Sequence, residues 1–255
     1  MARGLKARVR AVLPAWAERQ VMRRFYNREL ARGEFELKLI AQLVRSDQLA
    51  VDIGANIGTY TYHMSRHARR VEAFEPNPDV AWRLRGQFGA NVTVNLVALS
   101  SGYGPATFQI PIAADGGEVT ALGSLVDHGW KPGEARKIIV PMMTLDAYEL
   151  EQVGLIKIDV EGHEEAVLDG AAQTIARERP NLLVECESRH NPGGIERLCS
   201  RMAGLDYAGA FYLDGVRRPV AEFSSDLQAQ DRTPEAYVNN FLFRPREKVT
   251  TFEDR

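Results

Sequence analysis

From residue 34 onward the chain alternates between two spacings of apolar positions. Phe35, Leu37, Leu39, Ile40, Leu43 and Val44 recur at helical spacing and lead into a short apolar strand, Leu49 to Ile53. A helix is predicted from about Ile57 to His67, a strand at Val71–Phe74 and a helix from about Pro78 to Phe88. Further strands are predicted at Val92–Leu96, Ala106–Ile110, Ile138–Met142, Leu155–Val160 and Asn181–Cys186, with helical stretches near Glu164–Ile175 and Ile195–Met202. Such alternation predicts an α/β fold, a mostly parallel sheet covered by helices on both faces. The final third reads differently: Tyr207–Leu213, the turn pair Asp214-Gly215 and Val216–Val220 predict an antiparallel hairpin, and Asn240–Phe243 an edge strand. Residues 113–136 carry glycines at 116, 117, 123, 129 and 133 and resolve into no element, which suits an active-site loop or lid. With no repeat, linker or second core, residues 34–255 read as one domain.

Composition changes this picture little. In 255 residues, 45% hydrophobic content and a net charge of −2 exclude disorder as the main state, and no stretch approaches the ~20 apolar residues of a membrane span. Cys186 and Cys199 are too few for a disulfide scaffold or a zinc site and read as structural thiols in a reducing, cytoplasmic setting. The small net charge hides an asymmetry, because residues 1–33 hold nine basic side chains against Glu18 and Glu29, which gives +7 there and −9 elsewhere. Apolar positions at helical spacing, interrupted at Pro14, predict two short helices in this basic extension. A packed helical cap with solvated arginines is the economical reading. Peripheral contact with an anionic membrane or partner and an organellar transit peptide are the other two. Positive charge confined to these residues argues against nucleic acid as substrate.

The strongest chemical signal is VDIGANIG, Val51 to Gly58, an apolar strand running into a glycine turn and a helix. Gly54 and Gly58 permit left-handed backbone and close approach of a ligand, and the amides opening the helix favour an anionic group. A dinucleotide site wants three glycines, and this turn has two, four apart. Glu75 ends the second strand, where a carboxylate can accept hydrogen bonds from both hydroxyls of a ribose. A nucleoside-like ligand is therefore expected, its identity open.

The motifs VDIGANIGTYT (51–61), AFEPNP (73–78), NLVALS (95–100), VPMMTLD (140–146), IKIDVEGHEEAVLDGA (156–171), PNLLVE (180–185) and NNFLFRP (239–245) occur in an order that resembles the FkbM family of S-adenosylmethionine-dependent methyltransferases. The resemblance implies a Rossmann-like, doubly wound, seven-stranded sheet and a class I methyltransferase domain behind the N-terminal extension. It implies that Asp52, Gly54, Ala55, Asn56 and Gly58 surround the methionine part of the cofactor. Glu75, with Pro76 and Asn77, would hold the ribose, Val97 and Ala98 would flank the adenine, and Asp159 would lie near the sulfonium. It also suggests O-methylation of a hydroxyl on a sugar, glycolipid or secondary metabolite.

Methyl transfer needs alignment, water exclusion and a proton acceptor. Asp159, Glu161 and His163 in IDVEGHE are the candidate catalytic residues, with His163 suited to a general base. Asp159, Glu161, Glu185 and Glu187 at neighbouring strand ends have the oxygen chemistry for a divalent cation such as Mg²⁺, but contacts to cofactor and helix start are the preferred reading and no metal is assigned. His63, His67 and His190 share no metal-ligand spacing and are expected at the surface. A nicotinamide-dependent oxidoreductase and a non-catalytic nucleoside-binding domain are the competing readings. The two-glycine turn disfavours the first, and retention of the acidic residues after IKID the second.

Overall fold

The computed structural model describes residues 14–251, apart from 230, 234 and 235. Helix α1 (Ala15–Arg32) begins directly after Pro14; the first of the two helices expected in the extension lies outside the described residues. A 3₁₀ turn, Phe35–Leu39, runs into α2 (Ile40–Leu43). Strand β1 (Leu49–Ile53), α3 (Thr59–Met64), β2 (Arg70–Phe74), α4 (Pro78–Arg85) and β3 (Val92–Asn95) follow. Next come β4 (Ala98–Leu99), β5 (Gly104–Pro111), β6 (Ala135–Met143), β7 (Val153–Ile158), α5 (Glu164–Asp169) and α6 (Ala172–Glu178). The last elements are β8 (Asn181–Glu185), α7 (Gly194–Gly204), β9 (Tyr207–Leu213), β10 (Val216–Pro219) and β11 (Asn240–Pro245).

The main sheet has the order β10-β9-β11-β8-β7-β1-β2-β3, with β3, β2, β1, β7 and β8 parallel and β11 antiparallel to both its neighbours. The sheet has eight strands where the resemblance implied seven, with the second arm of the hairpin, β10, at its edge. Strands β1 and β7 are buried along their whole length, as the interior of a sheet covered on both faces requires. Val51, Ile53, Ile156 and Ile158 face α5 to α7, while Ala50 and Leu155 face α2 and α3. Helix α4 closes the latter face further along, over Ala73 and Val94. The stretch Glu164–Ile175 is two helices rather than one. The break falls at Gly170 and Ala171, and the carboxylate of Asp146 accepts the Gln173 and Thr174 amides to open α6.

Two expected members of the parallel series lie elsewhere. β5 and β6 pair antiparallel and, with β4, form a separate three-stranded sheet around Phe108, Ile110 and Val140. Hydrophobic periodicity marks a strand but not the sheet it joins. His63 corrects another expectation, being 4% exposed with Nε2 3.1 Å from the Tyr26 carbonyl, whereas His67 is exposed as expected. Both cysteines are free thiols, Cys186 buried and Cys199 partly so.

Helix α1 is fastened to α3 by one aromatic residue. The Tyr26 ring is buried and stacks on Tyr62 at 4.8 Å, and its hydroxyl donates to the Ile57 carbonyl at 2.7 Å. Tyr26→Ala is therefore expected to cost about 3–5 kcal/mol in chemical denaturation, through the cavity it leaves. Tyr26→Phe, losing one hydrogen bond, should cost about 1 kcal/mol. Equal losses for the two variants would contradict ring packing as the fastening.

Candidate functional site

The order of the main sheet reverses between β1 and β7, the position at which open α/β sheets bind their ligands. A cleft opens there, at the carboxyl ends of the strands. The strand ends are laced together, since the Gly54 and Ala55 amides donate to the Phe74 carbonyl and the Asp159 amide donates to Ile53. Gly54 has φ +80° and Gly58 φ +86°, both left-handed. Their glycine character serves packing between elements: a Cβ on Gly54 would overlap the Asp159 carbonyl, and one on Gly58 would come within 2.7 Å of Leu84 and Phe88.

Glu75 faces the cleft from the end of β2. Its carboxylate accepts the Asn56 and Asn77 amides, each at 2.8 Å, and the residue is 5% exposed. Burial pushes its pKa up to about 7, partly opposed by those two amides. Asn77 in turn caps α4 by accepting the Asp79 amide, with Pro78 in the first turn, and its Nδ2 is buried without a partner among the described residues. Asn56 adopts a left-handed conformation at φ 44°, which an asparagine tolerates better than most side chains.

Gly54, Asn56, Glu75, Pro76, Val97, Ala98, Asp159 and His163 all line the cleft. Five of the expected residues do not: Asn77 caps α4, Glu161 belongs to the neighbouring carboxylate cluster, and Asp52, Ala55 and Gly58 serve the packing around the cleft. Asp52 is buried below it and accepts the Thr61 hydroxyl at 2.5 Å, Ala55 packs among Ala73 and Val80, and Gly58 caps α3. Of the remaining walls, the apolar Phe74, Leu99 and Phe108 had no signal in the sequence, whereas Thr120, Ala121, Gly123 and Leu125 come from the glycine-rich segment 113–136 expected as an active-site loop or lid. That segment is fixed by Ser124, whose hydroxyl donates to the Glu161 carbonyl at 2.8 Å. Arg136 adds to this by pairing with both Asp79 and Glu118.

Glu161 belongs instead to an adjoining, closely packed cluster with Asp159, Glu164, Glu185, Glu187 and His190. Burial and then the neighbouring Glu185 and Glu187 push Glu161 up to about 8. Burial, Arg189 and His128 press His190 down to about 4; its side chain is 15% exposed, so it is not the surface residue expected. Its Nε2 lies 3.4 Å from Glu161 without forming a hydrogen bond. Among the described residues no group of His, Cys, Asp or Glu side chains is arranged to hold a metal ion. The carboxylates are matched instead by cations, Glu187 by Arg189 and the Asp159–Glu185 pair by Lys157.

Lys157 carries the least expected part of the site. It is fully buried, on the face of β7 opposite Ile156 and Ile158, and its Nζ lies 3.4 Å from Glu185, 3.9 Å from Asp159 and 3.2 Å from the Asn240 amide oxygen. The ammonium also sits 4.9 Å from the Tyr60 ring centroid. Burial opposes its charge, but Asp159, Glu185, Glu34 and Asp52 outweigh burial and push its pKa above the usual range. Burial raises Asp159, with Glu185 adding to it. His163, beside the cleft, is lowered by burial and therefore neutral, with Nε2 2.9 Å from the Ser100 hydroxyl.

Residues 52–210 match the family described as the methyltransferase FkbM domain. Over 176 residues the chain is 33% identical to the hexuronic acid methyltransferase AglP of Haloferax volcanii, covering 66% of this chain and 69% of that relative. Among solved structures it resembles the methyltransferase FkbM from Methylobacillus flagellatus KT, with a TM-score of 0.51 and 17% identity over 78% of this chain. The chain spans less than half, 44%, of that larger protein, and the likeness is one of fold. With most of its length inside the family pattern and a methyltransferase relative at one third identity, the chain belongs to the FkbM methyltransferase family.

Proposed function

We propose that the protein is an S-adenosylmethionine-dependent O-methyltransferase acting on a hydroxyl of a sugar, glycolipid or other secondary metabolite. The observation that carries this reading is the cleft at the β1–β7 reversal, lined by the buried Glu75 carboxylate and by Asp159. The donor set suits the cofactor: Glu75 for ribose hydroxyls, Val97, Ala98 and Leu99 for an adenine face, and Asp159 for a positive sulfonium. The unpartnered Asn77 amide is a further polar group beside Glu75. When bound, the cofactor supplies a methyl carbon whose bond to sulfur breaks, leaving the electron pair on sulfur, as a bond to oxygen forms. The protein must hold that carbon in line with the acceptor and take the hydroxyl proton. Among Asp159, Glu161 and His163, His163 is the base in readiness near neutral pH, since burial keeps it unprotonated while Glu161 retains its proton up to about pH 8. Ser100 orients the His163 ring, and Asp159 and Glu161 shape the field on the acceptor side. The name of the Haloferax relative supports a saccharide acceptor.

Mass spectrometry of the nucleoside that co-purifies tests this directly. S-Adenosylmethionine or S-adenosylhomocysteine is expected, and bound NAD would overturn the reading. In calorimetry with S-adenosylhomocysteine, Glu75→Ala should weaken binding at least ~tenfold, the loss of a charge-assisted pair of hydrogen bonds. The wild-type affinity should rise by up to about tenfold from pH 6 to pH 8, because the Glu75 carboxyl must shed its proton to accept both hydroxyls. A flat profile together with a change below twofold in the variant would remove Glu75 from the ribose.

A further inference from the structure

Apart from the cleft, the protein carries a larger groove of about 760 Å³ on the other side of the carboxylate cluster. One wall is the chain leaving α1, with Glu34, Phe35 and Lys38; a second is the β9–β10 hairpin, with Tyr212; a third is the segment before β11, with Tyr237 and Asn239. Phe35 and Tyr212, both half-buried, lie 4.9 Å apart with their rings tilted 33° and form an aromatic floor. Every polar group of the inner wall is tied to the candidate site. Asn239 donates to Glu185 at 2.7 Å, the Tyr237 hydroxyl donates to Glu187 at 3.0 Å, and Asn240 links Glu34 to Lys157 through two bonds of 3.2 Å. The Tyr60 hydroxyl donates to the same Glu34 oxygen, Oε2, and Oε1 has no hydrogen-bond partner among the described residues. The groove therefore ends within a few hydrogen bonds of Asp159, which lines the cleft from the far side.

We propose that this groove is the acceptor subsite and takes a hydroxyl-rich saccharide of more than one ring. The proposal rests on reading the chain as a methyltransferase of sugar-type acceptors, and adds the place and the chemistry of acceptor recognition. A pyranose has one apolar C–H face and a rim of hydroxyls. The Phe35–Tyr212 floor fits the face, while Glu34, Tyr237 and Asn239 fit the rim with an acceptor carboxylate, a hydroxyl and an amide. At about 760 Å³ the groove lies in the upper part of the range of small-molecule pockets, with room for more than one pyranose ring. Since α1 and the hairpin build two of the walls, the extension outside the family pattern and the appended strand β10 both become parts of acceptor choice.

Saturation-transfer NMR with methyl α-D-glucopyranoside and maltotriose on the full chain tests the groove, alongside calorimetry with S-adenosylhomocysteine. Saturation of sugar protons is expected, stronger for maltotriose. Phe35→Ala and Tyr212→Ala should weaken it at least fivefold while changing S-adenosylhomocysteine affinity less than twofold. Phe35→Leu, which keeps the packing volume and removes the aromatic face, should weaken it likewise and guards against a folding defect in the alanine variants. No saturation of either sugar, or equal saturation in wild type and all three variants, would overturn the proposal. If S-adenosylhomocysteine binds and the sugars do not, the subsite fails and the methyltransferase reading stands. If the sugars bind at Phe35 and S-adenosylhomocysteine does not, the functional reading fails and the groove stands as a saccharide site.

Discussion

Gly54→Ala is expected to abolish measurable S-adenosylhomocysteine binding and to destabilise the protein by about 4 kcal/mol or more. Two costs combine. Holding alanine at φ +80° costs about 1–2 kcal/mol, and the new methyl must also displace the Asp159 carbonyl, a backbone atom fixed by the β1–β7 register. No side-chain rotation relieves that overlap, so the ends of the two central strands must part, and with them the Gly54 and Asp159 walls of the cleft. Gly58→Ala makes the comparison. Its methyl meets the flexible ends of Leu84 and Phe88, and a loss of about 1–3 kcal/mol follows. Chemical denaturation and calorimetry on both variants decide the point. Near-wild-type stability in Gly54→Ala would refute the close approach of the strand ends.

Lys157→Met should cost about 3–5 kcal/mol, because it leaves the buried carboxylates Asp159 and Glu185 facing each other with no countercharge. The loss should grow with pH. Without the ammonium, which opposes the effect of burial on Asp159, this carboxyl holds its proton more strongly in the folded chain. The unfolded chain releases it near pH 4, so a rise in pH favours unfolding until the folded carboxyl ionises. Denaturation of wild type and variant at pH 6 and pH 8.5 checks both sign and size. A difference below 1 kcal/mol that is constant with pH would show that the lysine is not the countercharge.

The contrast between these two residues explains what the sequence could disclose. β1 and β7 are legible because a strand buried on both faces must be apolar almost throughout, and VDIGANIG because left-handed turns need glycine. Glu75 is legible because the end of a strand beside that turn is a defined place. Lys157 is not, because a lysine between two isoleucines matches the solvated position of a half-exposed strand. Its partners Glu34, Tyr60, Glu185 and Asn240 come from four separate parts of the chain and meet only in the folded molecule. The same reason hides the groove, whose walls join α1 to the C-terminal hairpin. His63 and His190 were misplaced for want of any signal in their neighbours, since burial of a histidine depends on what packs over it. The division into two sheets escaped periodicity, because alternation records which faces are covered and not which strand lies alongside.

The strand that extends the main sheet, β10, reads Val-Arg-Arg-Pro and is exposed throughout. It therefore leaves an open row of backbone groups at the margin of the molecule, a surface that in other proteins recruits a second chain. Here Pro219 removes one donor from that row, and Arg217 and Arg218 would bring like charges together across any self-pairing, with Arg218 held at this margin by its ion pair with Glu222. A sheet of eight strands can in this way end in water without growing into a fibre.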